Sequence, residues 1–108
     1  MKAVVTKHGQ ERLKERLGVN KKSCSRVADL ALERGLGRGE TQGRLNAHLN
    51  SLYRTHKKGN NMKVYNRKVF LFHDNLLITV LPLDKKYNDD IVQQTMMKGS
   101  LWLQYIIQ

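Results

Sequence analysis

The stretch MKVYNRKVFLFHDNLLITVLPL, residues 62–83, decides how the rest of this chain is read. It is rich in Val, Ile, Tyr and Phe, residues that suit a pleated, half-buried surface, and two turn-forming pairs interrupt it, Asn66-Arg67 and Asp74-Asn75. Two breaks in one apolar run predict an antiparallel meander of three strands. Pro82 falls near the end of the last strand, where a missing backbone donor is tolerated. Simple alternation puts Thr79 on the side of Leu77 and Leu81, opposite Leu76, Ile78 and Val80.

Upstream of residue 62 the period changes to that of helices. Thr6 is placed to cap a helix over Lys7–Leu17 that Gly18 stops. A second helix starts near Ser23, carries Cys24, Val27, Ala28, Ala31 and Leu32 on its apolar side, and ends at Gly35. The glycine-rich GLGRGETQG, residues 35–43, reads as a connector or hinge. Thr41 then caps a third helix with Leu45, Leu49, Leu52 and Tyr53 at three- and four-residue intervals, ending near HKKGNN, residues 56–61. Before all of these, KAVV, residues 2–5, is a short strand or an extended lead-in.

Helices followed by consecutive strands define an α+β class, with N-terminal helices packed on one face of a small, curved antiparallel sheet and the other face open. This domain spans residues 1–83. Residues 84–108 are an extension in which Asp89 or Asp90 opens a short helix, and the apolar LWLQYII, residues 101–107, adds a strand or a packing flap.

A chain of 108 residues is long enough for one domain with a modest core. Its formal charge of +11 attracts polyanions, and the excess is lopsided: residues 1–59 hold 14 Lys and Arg against 5 Asp and Glu. Nucleic acid or an acidic protein surface is the partner this charge suits. The single cysteine, Cys24, excludes an intramolecular disulfide framework. Neither a signal-peptide core nor a membrane-length apolar run is present, which points to an intracellular protein without a membrane partner.

In the first helix, His8, Arg12 and Arg16 fall on one stripe at about 100° per residue, with Glu11 and Glu15 beside them and Leu13 and Leu17 far around the cylinder. The four-residue neighbours pair like with like, Glu11 with Glu15 and Arg12 with Arg16, which an isolated helix disfavours. Arg12 and Glu15, three apart, offer partial relief. Three readings of the stripe compete: a solvated face, an internal salt-bridge network, and a wall that meets phosphate.

The histidine followed by ERLKERLG, residues 11–18, the helix ending ALERG, residues 31–35, and the strand LLITVLPL, residues 76–83, together resemble small phage- and toxin-associated proteins of the RelE, colicin D and barnase-like ribonuclease superfamily. The resemblance covers Lys7 to Leu83. It implies a helical part packed on a curved antiparallel sheet, a bacterial cytoplasmic setting, and, in members that are enzymes, metal-independent cleavage of RNA with the 2′-hydroxyl as nucleophile. The residues it marks as catalytic are His8, Arg12, Arg16 and Thr79. Their chemistry fits in part: an imidazole moves protons near neutrality, and guanidinium forks hold phosphate oxygens. Thr79 has a second reading as a β-branched filler with a locally bonded hydroxyl.

Lys21, Lys22, Arg26, Arg34, Arg38, Arg44, Arg54, Lys57 and Lys58 offer a broad basic nucleic-acid-binding surface, which Lys63, Arg67 and Lys68 extend across the first hairpin. His48 reads as a half-buried structural histidine, His73 as a turn residue, and His56 as exposed. Four histidines and one cysteine without close ligand spacing predict no metal site, and no cofactor is expected. Two functions follow: a phage- or prophage-type RNA-binding protein, with endoribonuclease chemistry as its extension, or a non-catalytic protein that binds and modulates a host defence or replication complex. In the second, the basic surface or the apolar tail grips the host protein, and the tail is a partner-binding strand or a self-association element.

Overall fold

The strands expected between residues 62 and 83 form the centre of a five-stranded sheet of order β1-β5-β4-β3-β2. The computed structural model describes the backbone of residues 2–107 and the side chains of residues 2–99. In chain order the elements are β1 (Val4–Val5), α1 (Lys7–Leu17), α2 (Cys24–Arg34), β2 (Leu36–Gly37), α3 (Gly43–Thr55), β3 (Asn61–Tyr65), β4 (Lys68–His73), β5 (Leu76–Pro82) and α4 (Asn88–Ile107). The class is α+β, as expected. The sheet is mixed, because β1 joins β5 in parallel while every other pair is antiparallel.

The β3–β4 hairpin closes on Asn66 and Arg67, both at positive φ (49° and 59°), the pattern that matches the twist of flanking strands. Asn tolerates that conformation well; Arg tolerates it less well. Between β4 and β5 the register slips: Leu71 faces Thr79, but Phe72 faces Leu77, so Ile78 is an extra residue on β5. This bulge corrects the simple alternation. Leu77 joins Val80 on one face with Phe70 and Phe72, while Thr79 and Leu81 turn to the other, with Val69 and Leu71.

Helices cover both faces, where one open face was expected. The reason lies in β4, whose VFLF run, residues 69–72, is at most 1% exposed and therefore needs cover on both sides. On one side Leu13 of α1 and Cys24, Ala28 and Ala31 of α2 pack against Phe70, Phe72 and Val80. On the other, Leu45 and Leu49 of α3 pack against Leu36, Met62, Val64, Val69 and Leu71. Each fully buried Leu or Phe contributes about 1.5–3 kcal/mol relative to exposure.

The glycine-rich connector also differs from expectation. Leu36 and Gly37 pair with Val64 and Lys63, which buries Leu36 at the sheet's far edge. Thr41 does not cap α3. Its hydroxyl donates to the Arg38 carbonyl (2.7 Å), and Gln42 takes the cap position without a side-chain bond of its own. Gln94 of α4 holds Gln42 instead, accepting from its N–H (2.9 Å) and donating to its carbonyl (3.2 Å).

The extension forms one continuous helix from Asn88 to Ile107 in place of the expected short helix and added strand, and the packing expected of LWLQYII falls on side chains outside the described residues. Ile91 packs inward, and Gln94 and Lys98 dock on the α3 start and the β2 edge, so a helical period governs the segment. A short 3-10 turn, Lys85–Tyr87, leads into it and buries Tyr87 against α3. No helix among the described residues is long and apolar enough to cross a membrane.

Candidate functional site

The α1 stripe borders a concavity, with His8 and Arg16 exposed and Arg12 half-buried. His8, Arg12 and Arg16 form one side of a groove of about 610 Å³ whose other side is Thr55, His56, Lys57 and Lys58 and whose floor is Leu71, Ile78, Thr79 and Leu81. All four residues that the sequence marked as catalytic therefore meet in one concavity. Its size is that of an ordinary ligand cleft.

The α1 wall is placed by backbone. Thr6 caps the helix, its hydroxyl accepting from the Gly9 N–H (2.9 Å) while donating to the Leu77 carbonyl (2.8 Å). Gly9 lies directly on β5, where a Cβ would sit 2.7 Å from the Leu77 carbonyl oxygen. Only glycine lets the first turn come this close, and that approach brings His8 to the sheet. Leu13, fully buried, anchors the next turn and directs Arg12 and Arg16 to the groove.

The opposite wall is placed in the same way. After α3 ends at Thr55, with the His56 N–H bonded to the Leu52 carbonyl (2.8 Å), the chain returns to the sheet through Gly59. A Cβ on Gly59 would collide with the Leu71 side chain. Asn60 then donates its N–H to the Phe72 carbonyl (2.9 Å), and its side chain pairs with Asp74. The two walls thus rise from β5 and from β4, which lie side by side.

Charge is distributed unevenly within the groove. Four permanent cations and two imidazoles line it, with no carboxylate among the lining residues. Arg12 bonds Glu15 of its own helix (2.5 Å), the three-residue pair read from the sequence. Among the described residues Arg16, Lys57 and Lys58 have no ion pair, so an extended salt-bridge network is not what the stripe builds. Cations gathered in a cleft with low-dielectric walls concentrate field on an anion.

The floor is apolar except for Thr79, 8% exposed, whose hydroxyl is the one polar side-chain group there. Apolar floor and cationic rims together match a nucleotide, whose base and sugar have apolar surface and whose phosphate does not. A second concavity of about 500 Å³, lined by Tyr53, Arg54, Lys57 and Gly59, adjoins through the shared Lys57. Arg54 thus extends the run of cations past Lys57.

The remaining candidates lie elsewhere. Lys21, Lys22 and Arg26 belong to the turn before α2 and to α2 itself, and Lys63, Arg67 and Lys68 to the β3–β4 hairpin; none lines the groove. Lys63 sits beside Gly35 and Gly37 at the β2 edge. His48 is half-buried and stacks on Tyr87 at 5.0 Å, and His73 is an exposed strand-end residue beside Asp74 (3.9 Å). His56, set aside as exposed, is half-buried and lines the groove. Among the described residues no group of three His, Cys, Asp or Glu is placed to hold a metal ion.

Burial raises the pKa of the Cys24 thiol and disfavours the reactive thiolate. No protein-family model matches the chain, and no curated protein or solved structure is significantly similar to it.

Proposed function

We propose that this protein binds RNA in the groove between α1 and the end of α3 and cuts it as a metal-independent endoribonuclease of the RelE, colicin D and barnase-like kind. One observation carries the reading: His8, Arg12, Arg16 and Thr79 converge on one concavity, and Lys57 and Lys58 face them across it. Arg12 and Arg16 hold non-bridging phosphate oxygens, and Thr79 donates a hydrogen bond to the same phosphate. His8 takes the proton of the 2′-hydroxyl as that oxygen attacks phosphorus. Cation contacts to a single strand make binding salt-sensitive and weakly selective for sequence.

The test is cleavage of a panel of single-stranded RNAs by the parent, His8→Ala and Arg12→Ala proteins. Cleavage by the parent that falls 10²-fold or more in each variant supports the reading. A parent that binds but never cuts reduces the function to RNA binding. Variants that cut like the parent remove these residues from the chemistry.

A second reading rests on a different surface. Val92, Met96 and Met97 are 53%, 70% and 42% exposed on α4, and an unpartnered apolar stripe of this kind suits a protein partner, including a host complex or a second copy. Solution mass and the identity of co-purifying material separate the two. Retained RNA favours the groove; a stoichiometric protein favours α4.

A further inference from the structure

We infer that His56 is a second catalytic residue, the general acid that protonates the leaving 5′-oxygen opposite His8; the inference rests on the endoribonuclease reading above. Transesterification of RNA needs two proton transfers on opposite sides of phosphorus, because the attacking 2′-oxygen and the leaving 5′-oxygen lie roughly in line. The α1 stripe supplies one side only. His8, Arg12 and Arg16 all come from that helix, and the groove has one titratable group of suitable kind on its other wall, His56.

The placement of His56 follows from the fold. It terminates α3 with φ −103° and ψ 76°, a non-helical conformation that turns the chain back toward the sheet through Gly59. Its side chain is half-buried and has no hydrogen-bond partner among the described residues. His8 and His56 thus rise from the β5 and β4 sides of one floor, with Arg12 and Arg16 on one rim and Lys57 and Lys58 on the other. A phosphate between the rims has an imidazole on either side.

The step balances without an added reagent. The 2′-oxygen–phosphorus bond forms as the phosphorus–5′-oxygen bond breaks. The 2′-hydroxyl proton passes to neutral His8, and the proton of the His56 imidazolium passes to the departing oxygen. The products are a 2′,3′-cyclic phosphate and a 5′-hydroxyl end, and exchange with water restores both imidazoles.

The test uses two RNA substrates, one with the natural 5′-oxygen at the cleaved bond and one with sulfur in its place, a leaving group that departs without protonation. His56→Ala, and His56→Gln as a second variant, are expected to cut the oxygen substrate about 10²-fold or more slowly than the parent. Both are expected to cut the sulfur substrate at close to the parent rate. His8→Ala is expected to remain slow on both, and matching far-UV circular dichroism confirms that each variant is folded. If the His56 variants cut the oxygen substrate as the parent does, or are slowed equally on both substrates, the inference is overturned while RNA cleavage by the groove stands. A parent that cuts neither substrate overturns the endoribonuclease reading and this inference together.

Discussion

Cations beside α4 and cations in the groove live under different conditions. Where α4 meets α3 and β2, two cations are matched: Arg44 bonds Asp90 (2.6 Å) and the Lys86 carbonyl (2.7 Å), and Lys98 bonds Glu40 (3.0 Å) and the Gly35 carbonyl (3.1 Å). Arg38 bonds Asn50 (2.8 Å) and lies over the Tyr53 ring (4.0 Å). In the groove, Arg16, Lys57 and Lys58 have no ion pair among the described residues. The matched cations fasten one element to another. Unmatched like charges in a cleft repel one another, and an anion relieves them.

The sharpest way to break the comparison is to remove a fastening that leaves the groove alone. Tyr87 is buried, stacks on His48 and lies under Arg44 (5.7 Å), so Tyr87→Ala is expected to cost about 3 kcal/mol in urea unfolding. RNA affinity of the folded fraction should stay at the parent value. Arg16→Ala with Lys57→Ala should do the reverse, weakening RNA binding by about 10–100-fold at low salt while unfolding stays within about 0.5 kcal/mol of the parent. The log–log salt slope of binding should also flatten by roughly 1.4 in that double variant, at about 0.7 per lost single-strand phosphate contact.

Gly9→Ala probes the join between the two regimes. The added methyl meets the Leu77 carbonyl oxygen and must push α1 outward, with an expected destabilisation of about 1–3 kcal/mol and a fall in RNA cleavage larger than the fall in binding. Calorimetry and single-turnover kinetics separate the two effects.

The smallest effect belongs to Glu40. Burial opposes its carboxylate, but the Gly37 N–H and the Lys98 ammonium, with Lys63 nearby, outweigh burial and lower its pKa. A carboxyl whose folded pKa lies below its unfolded value, about 4.3, contributes stability above that pH and loses it as pH falls through the folded value. Glu40→Gln is therefore expected to cost no more than about 1 kcal/mol at pH 7, since the pair is part-exposed, and less at pH 3. Chemical denaturation at pH 7 and pH 3 measures the difference.

Much of this architecture was legible in local patterns. Thr6 and Gly18 bound α1, the meander follows its turn pairs, and the stripe of His8, Arg12 and Arg16 is a matter of helical angle. Non-local pairing was not legible. Nothing near Leu36 announces a strand, because its partner Val64 lies 28 residues away. The Ile78 bulge re-aims Thr79, and alternation alone misassigns its neighbour Leu77. The covered second face had a signal in the unbroken VFLF run, which an exposed face would have interrupted with polar residues. His56 had a weaker one: a histidine at a helix end, followed by two lysines and a glycine, marks a cationic turn that returns to the fold.

The most direct measurement is a backbone amide chemical-shift map recorded while a short single-stranded RNA is titrated into the protein. The account predicts that perturbations concentrate on residues 8–16, 55–59 and 77–81, and that they vanish in high salt. Perturbations centred on α4 or on Lys21, Lys22 and Arg26, with the groove silent, would contradict it.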